Sequence, residues 1–347
     1  MTTNDRRLGL CPDRVGSTSP NGSGRSPNLL GFRIVGTCSN ERRLVDWQAA
    51  FVAYAALDER AEVHREAYLS AFTFGEDFRQ HLDANGSTKG FDGVCGATFV
   101  WFDIDRTDLE AARRDAARLC LRLVERYSLD DDGPLMFFSG SKGFHLGLPT
   151  DLWQPSASLT FHRTARRLAE GLAAAAQVRN DGGVYDKVRA FRAPNPRHPK
   201  TGLHKRASTL DELTGLSVER IQDLAREPLA FDVPTTTTRS EQAAADWLDA
   251  VQAMEREAEA IQQRRTSNNG STRLNRSTLD FIRHGAGSGD RHRLLFSAAA
   301  NLAEFGCPSE LVRELLNEAA LDSGLAPKDV QRQIDCGLNH SSKGNQP

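Results

Sequence analysis

Paired cysteines are missing from this chain. Its six cysteines, Cys11, Cys38, Cys95, Cys120, Cys307 and Cys336, are scattered with no C-x-x-C among them. That argues against a zinc ribbon and a disulfide framework, and fits a reducing compartment. Long apolar runs are missing too: none approaches the roughly 18 residues of a membrane-spanning helix, and the first residues are polar rather than signal-like. These absences predict a cytoplasmic protein with no membrane partner. Charge of one sign is also lacking. Charged residues make up 26% of the chain, yet the formal net charge is -2, so any nucleic-acid surface has to be a local basic patch. Neither a Walker sequence nor an internal repeat is present, which excludes a P-loop motor and a solenoid.

What is there begins with 347 residues, room for one large domain and a smaller one. Residues 1–30, rich in Ser, Gly, Pro, Asn and Arg, read as a disordered leader. Apolar spacing predicts helices over 41–66, Leu109–Tyr127 (capped by Thr107 and Asp108) and 156–177. Strands are expected at 68–74, 99–105, Leu135–Phe138, 146–148 and 184–191. Short helical turns fill 208–231, and 235–240 marks a boundary. A polar helix at 241–265 leads into a linker at 267–271. Three helices follow over 289–340, with Ser309 capping the second and Pro327 opening the third.

The chain is organised around Phe99-Val-Trp-Phe-Asp-Ile-Asp105. Its alternation predicts a half-buried strand with Asp103 and Asp105 on one face. Two adjacent carboxylates repel, and a divalent cation held by hard oxygen ligands would offset the cost. A solvated acidic turn is the simpler alternative. Ser139-Gly-Ser-Lys-Gly-Phe-His145 follows between two short strands. Its glycines allow close backbone approach, and Ser139, Ser141 and Lys142 offer donors suited to phosphate oxygens. Then Arg189, Arg192, Arg197, His198, Lys200, His204 and Lys205 crowd seventeen residues of Pro-rich loop. That run is either a solvated turn or a grip on a triphosphate or nucleic-acid backbone. Asp181 and Asp186 lie just upstream, and either could be a third carboxylate.

Together these stretches resemble the archaeo-eukaryotic primase superfamily over about residues 65–210. Its members carry an Asp-x-Asp strand, a Ser-Gly-x-x-Gly-x-His segment, and an aspartate followed by a basic loop. Here the counterparts are Asp103-Ile-Asp105, Ser139 to His145, and Asp181 followed by Arg189 to Gly202 with its His-Pro-Lys-Thr-Gly string. The resemblance implies an α+β primase catalytic core, with mixed or antiparallel sheets flanked by helices and an RRM-like palm, over 31–235. A helical linker at 236–285 and a small all-α domain at 286–341 complete the expected organisation. It further implies that Asp103, Asp105 and Asp181 bind two divalent ions, Mg²⁺ or Mn²⁺, with the Asp-x-x-Val pattern favouring Asp181 over Asp186. Ser139, Ser141, Lys142, His145, Arg189, Arg192, His198 and Lys200 would hold the incoming nucleoside triphosphate. The zinc-binding cysteine set that many primase small subunits hold is missing, so no zinc is expected.

The expected activity is DNA priming: template-directed, two-metal nucleotidyl transfer on single-stranded DNA, with unwinding left to a separate helicase. The alternatives are a repair or gap-filling polymerase on the same core, a non-catalytic single-strand-binding module, and a metal-dependent nuclease. All three aspartates argue against the binding module, and the basic triphosphate cradle against the nuclease.

Overall fold

A computed structural model describes residues 29–130, 133–234, 240–268, 274–287 and 289–342. Most of the expected leader, residues 1–28, all but Ser240 of the expected boundary at 235–240, and residues 269–271 of the expected linker lie outside them. The chain divides into two compact units, Met1–Glu255 and Arg256–Pro347. No helix among the described residues is long and apolar enough to cross a membrane.

The first unit is mixed α+β. In chain order it contains β1 (Leu30–Val35), β2 (Arg43–Asp46), α1 (Trp47–Ala55), β3 (Ala67–Ser70), β4 (Thr73–Phe74), α2 (Glu76–Asn85), β5 (Cys95–Gly96), β6 (Phe99–Asp105) and α3 (Leu109–Tyr127). Then come β7 (Leu135–Phe138), β8 (Gly143–Pro149), α4 (Phe161–Ala175), β9 (Ala190–Arg192), β10 (Arg206–Ala207), α5 (Leu210–Gly215) and α6 (Val218–Leu224). One sheet runs β5-β4-β1-β3-β9 with β2 also paired to β1, and the other runs β10-β7-β8-β6. Every pairing is antiparallel.

The second sheet positions the acidic pair. Val100, Phe102 and Ile104 of β6 oppose Leu148, Leu146 and Phe144 of β8. They share a face with Met136, whose sulfur lies 3.3 Å from Cys120 Sγ on α3. On the other face, Phe99 and Trp101 pack at a tilt against Phe51 of α1 at 5.3 and 6.3 Å, and Trp101 against Phe191 of β9 at 5.2 Å. The half-buried strand of the sequence reading is therefore covered on both faces, because α1 and β9 roof the side left to solvent in that reading. Only its last turn of alternation, Asp103 and Asp105, emerges from full burial.

Several local expectations shift for identifiable reasons. Helix 41–66 shrinks to α1, since Leu44 and Val45 pair with β1 and Asp46 Oδ1 caps the helix by accepting from Ala49 N. The strand expected at 68–74 breaks at Ala71, whose N–H donates to Arg189 O. The strand expected at 184–191 begins instead as a 3-10 turn, Gly182–Tyr185, capped by Asp181. His145, expected in a loop, lies inside β8. The helix α2 and strand β5 had no counterpart in the sequence pattern.

The long helix α7 (Glu241–Asn268) holds the division between the two units, and it runs through Ser267 and Asn268, where a linker was expected. Its first turns belong to the α+β unit: Ala243 and Ala250 are buried there, and Asp246 accepts from Arg126 Nη2 at 2.5 Å and Tyr127 OH at 2.7 Å. The second unit adds α8 (Arg276–His284), α9 (Arg291–Glu304), α10 (Ser309–Asp322) and α11 (Pro327–Ser342). Phe281 of α8 is buried with Leu295, Leu302, Val312, Leu316, Val330 and Ile334. Residues expected as a linker, 236–285, thus contribute to both cores, and the bundle gains a helix beyond the three expected. Ser309 opens α10 but no side chain caps that helix, which follows Pro308.

Candidate active site

The site forms where β6 runs out at the edge of its sheet. Register pairs Asp103 with His145 and Asp105 with Gly143, so these residues share one face. A Cβ on Gly143 would collide with Asp105 Oδ1 and Ile104 O, so that position needs glycine. β6 has no strand partner on its outer edge, and side chains take over. Asp103 N donates to Asn180 Oδ1 at 2.8 Å, and Asp181 N donates to Asp103 O at 2.9 Å. Tyr185 OH, which accepts from Asn180 Nδ2, donates to Trp101 O. The backbone of the acidic strand is thereby clamped from both sides, and Asp181 is tied directly to Asp103. Asp186 lies at the far end of the 3-10 turn that Asp181 opens, where its charge acts on His162 and Arg166. Of the two candidates, Asp181 is the one beside the pair.

The carboxylates differ in environment. Asp103 is mostly buried. Desolvation alone would raise its pKa, but His145, Lys205 and Arg189 outweigh it and hold the carboxyl below the usual range. His145 Nε2 approaches Asp103 Oδ1 at 3.4 Å without the alignment of a hydrogen bond, so Oδ1 is buried with no donor. Burial, reinforced by Lys205, pushes the His145 imidazole down from its ordinary value, which keeps it neutral at pH 7. Its ring packs on Phe191 at 4.5 Å. Asp105 is more open and meets Lys142 Nζ at 2.9 Å.

The Ser-Gly loop and the basic loop are clasped together. Ser139 Oγ accepts from Gly143 N at 3.2 Å and Ser141 N at 3.4 Å, so this hydroxyl closes its own loop. Gly140, at φ +83°, fits against Leu203 O and His198 Cβ, where a side chain would clash. Thr201 Oγ1 donates to Gly140 O at 2.5 Å. His198, half-buried, accepts at Nδ1 from Lys200 N, 3.2 Å away. Burial, with Arg192 and Lys200 adding, lowers its pKa. Arg192 lies over Tyr68 at 5.2 Å, and its buried Nη1 has no partner. Lys200 and Arg189 are exposed.

Asp103, Asp105, Asp181, Lys142 and Arg189 thus surround one corner, and Gly140, Ser141, His198, Lys200 and Arg192 the adjoining one. His145 and Ser139 are recessed beneath them, more as supports than as exposed contacts. Asn180, Tyr185, Thr201 and Lys205 were not singled out as site residues by the sequence pattern, although Lys205 was counted in the basic run. Nothing in their spacing distinguishes them, since each acts through a tertiary contact. Lys205 is wholly buried: its Nζ sits 4.4 to 5.1 Å from the ring centres of Phe191, Phe137 and Trp101 and donates to Arg192 O at 2.7 Å. An open groove of about 800 Å³ lined by Arg113, Arg114, Arg118, Arg122 and Gln177 shares no residue with the site.

For a divalent cation, the donor chemistry fits: two neighbouring carboxylates, a third tied to them through the backbone, and a buried Asp103 oxygen lacking a donor. Among the described residues no three His, Cys, Asp or Glu side chains converge into a ready metal cluster. Asp181 Oδ1 instead accepts from Gly183 N at 2.9 Å. No family model, curated protein or solved structure matches the chain.

Proposed function

We propose that this chain is a DNA primase-polymerase, a nucleotidyltransferase of the archaeo-eukaryotic primase type, making primers on single-stranded DNA during replication. The observation that carries this reading is the junction of the acidic strand end, Asp103 and Asp105 with Asp181 alongside, with a Ser-Gly loop clasped to a basic hairpin. A carboxylate corner beside a cationic one is what nucleotidyl transfer from a triphosphate needs, because the reaction is driven by positioning and charge neutralisation. Divalent ions, Mg²⁺ or Mn²⁺, held by Asp103, Asp105 and Asp181, would activate the attacking hydroxyl and neutralise the departing pyrophosphate. The chain's own residues do the rest. Ser141, Lys142, His198 and Lys200 grip the phosphates, Arg189 and Arg192 extend that grip, and Ser139 holds the loop in shape. His145, neutral and recessed, packs beneath the Asp103 carboxylate rather than moving a proton.

The test is primer synthesis on circular single-stranded DNA with labelled nucleotides, Mn²⁺ or Mg²⁺, and no added primer, against an Asp103→Ala, Asp105→Ala control. Products from the wild type alone support the reading. Extension of an annealed primer without initiation would replace it with a gap-filling polymerase. Inactivity in both assays by a folded protein would end the catalytic reading.

A further inference from the structure

Lys142 stands in an unexpected place for a residue of a phosphate loop. Its ammonium does not reach outward but turns back onto the carboxylate corner, 2.9 Å from Asp105 Oδ2. The charges of Asp103 and Asp181 act on it as well. Its side chain is 69% exposed, and this ion pair holds it there. The Lys142 carbonyl, in contrast, is fixed by Arg106 N at 3.3 Å, and the loop around it is closed by Ser139. A hydrogen-bonded loop therefore carries an exposed cation over the anionic end of β6.

From this geometry we infer that Lys142 is an exchangeable counter-cation. It neutralises Asp105 until a divalent ion takes the carboxylate, and the released ammonium then turns to the triphosphate. The inference rests on the metal-dependent reading above and adds an order to it. The carboxylates are never left to repel one another, and the lysine becomes free for phosphate when the metal arrives. An exposed ion pair of this kind is weak, so the exchange opposes metal binding only mildly. By linkage, a polyphosphate that captures the lysine must favour metal binding to the same degree.

The experiment measures Mn²⁺ affinity by calorimetry and by the paramagnetic resonance of free Mn²⁺, for the full chain and for Lys142→Met, with and without inorganic tripolyphosphate. Removing the competing ammonium should tighten Mn²⁺ binding about two- to fivefold in the absence of tripolyphosphate, the worth of an exposed ion pair. Once the Mn²⁺ chelated by tripolyphosphate itself is accounted for, the strengthening of Mn²⁺ binding by tripolyphosphate should be smaller in Lys142→Met than in the wild type. Lys142→Arg, which keeps a cation over Asp105, should bind Mn²⁺ no more tightly than the wild type. Equal or weaker Mn²⁺ binding by Lys142→Met, with the wild type binding normally, overturns the exchange and leaves the primase reading intact. Absence of Mn²⁺ binding by the wild type, with Asp105→Asn behaving identically, overturns both.

Discussion

The two units of this protein are built to different rules. The α+β unit buries Ser139, His145, Asn195, His204, Lys205 and Arg206, while the helical unit buries Thr278 alone of its described polar residues. Thr278 is satisfied by donating to Asn301 Oδ1 at 3.0 Å. In the α+β unit the site leaves Asp103 Oδ1, His145 Nδ1 and Arg192 Nη1 buried without partners. Such groups cost stability and persist where something other than packing retains them. The bundle's sequence is accounted for by an aliphatic core at helical spacing. The contrast supports placing the proposed chemistry in the α+β unit.

The sharpest way to break that contrast is at the third carboxylate. Asp181→Asn should lower nucleotide incorporation by about a hundredfold or more, the usual loss on removing an electrostatic group from a reacting centre. Asp186→Asn should stay within about threefold of wild type, since Asp186 belongs to the His162 and Arg166 surroundings. Steady-state incorporation on a primed template measures both. Equal losses would erase the distinction that the Asp181–Asp103 backbone bond draws.

A smaller effect separates buried charge from buried hydrocarbon. Lys205→Ala should cost about 3 kcal/mol or more, because it empties the space between Trp101, Phe137 and Phe191 and leaves the Arg192 carbonyl without its donor. Lys205→Met keeps the volume and removes the buried amine, whose charged form burial disfavours, so its stability should lie within about 1 kcal/mol of wild type or exceed it. In the bundle, Leu316→Ala should cost about 2–5 kcal/mol through the cavity alone. All four tryptophans, Trp47, Trp101, Trp153 and Trp247, lie in the α+β unit. Urea unfolding followed by tryptophan fluorescence should therefore register the Lys205 variants and miss Leu316→Ala, whose loss appears in far-UV circular dichroism. A fluorescence shift from Leu316→Ala would show the two cores to be one cooperative system.

Much of this was legible in the chain itself. The helix Leu109–Tyr127 and strand Leu135–Phe138 have the bounds that the sequence pattern predicts, because strong 3.6-residue periodicity and a clear Asp108 cap define the first, and a turn before a four-residue apolar run defines the second. The proximity of Asp103 and Asp105 follows from strand period alone. What was not legible depends on tertiary cover. Trp101 was expected on a half-exposed face and is buried because α1 and β9 arrive from distant sequence. His145 joined β8 because its neighbours pair with both β6 and β7. Lys205 looked like one more member of a basic run; only the three surrounding rings set it apart. No local pattern distinguishes a lysine that will be caged from one that will be solvated.

The mildest prediction uses pH to read the same contrast. Burial holds His145, His162, His198 and His204 below the ordinary histidine value, His162 at about 4 through desolvation first and then the charges of Lys187 and Arg163. A histidine depressed on folding binds its proton more readily in the unfolded chain. Its contribution to stability is present above about pH 6.5 and, for His162, is lost as pH falls from there to about 4. Asp103, also depressed, adds its own loss only as pH falls below the unfolded carboxylate value of about 3.9. The described histidines of the bundle, His284, His292 and His340, are exposed. The midpoint of the tryptophan-detected thermal transition should therefore fall between pH 7 and pH 4 by more than that of the circular dichroism signal from the bundle, and His162→Gln should flatten the first slope. If both transitions moved together, or if His162→Gln left the slope unchanged, buried histidine would not be what makes the α+β unit the acid-sensitive half.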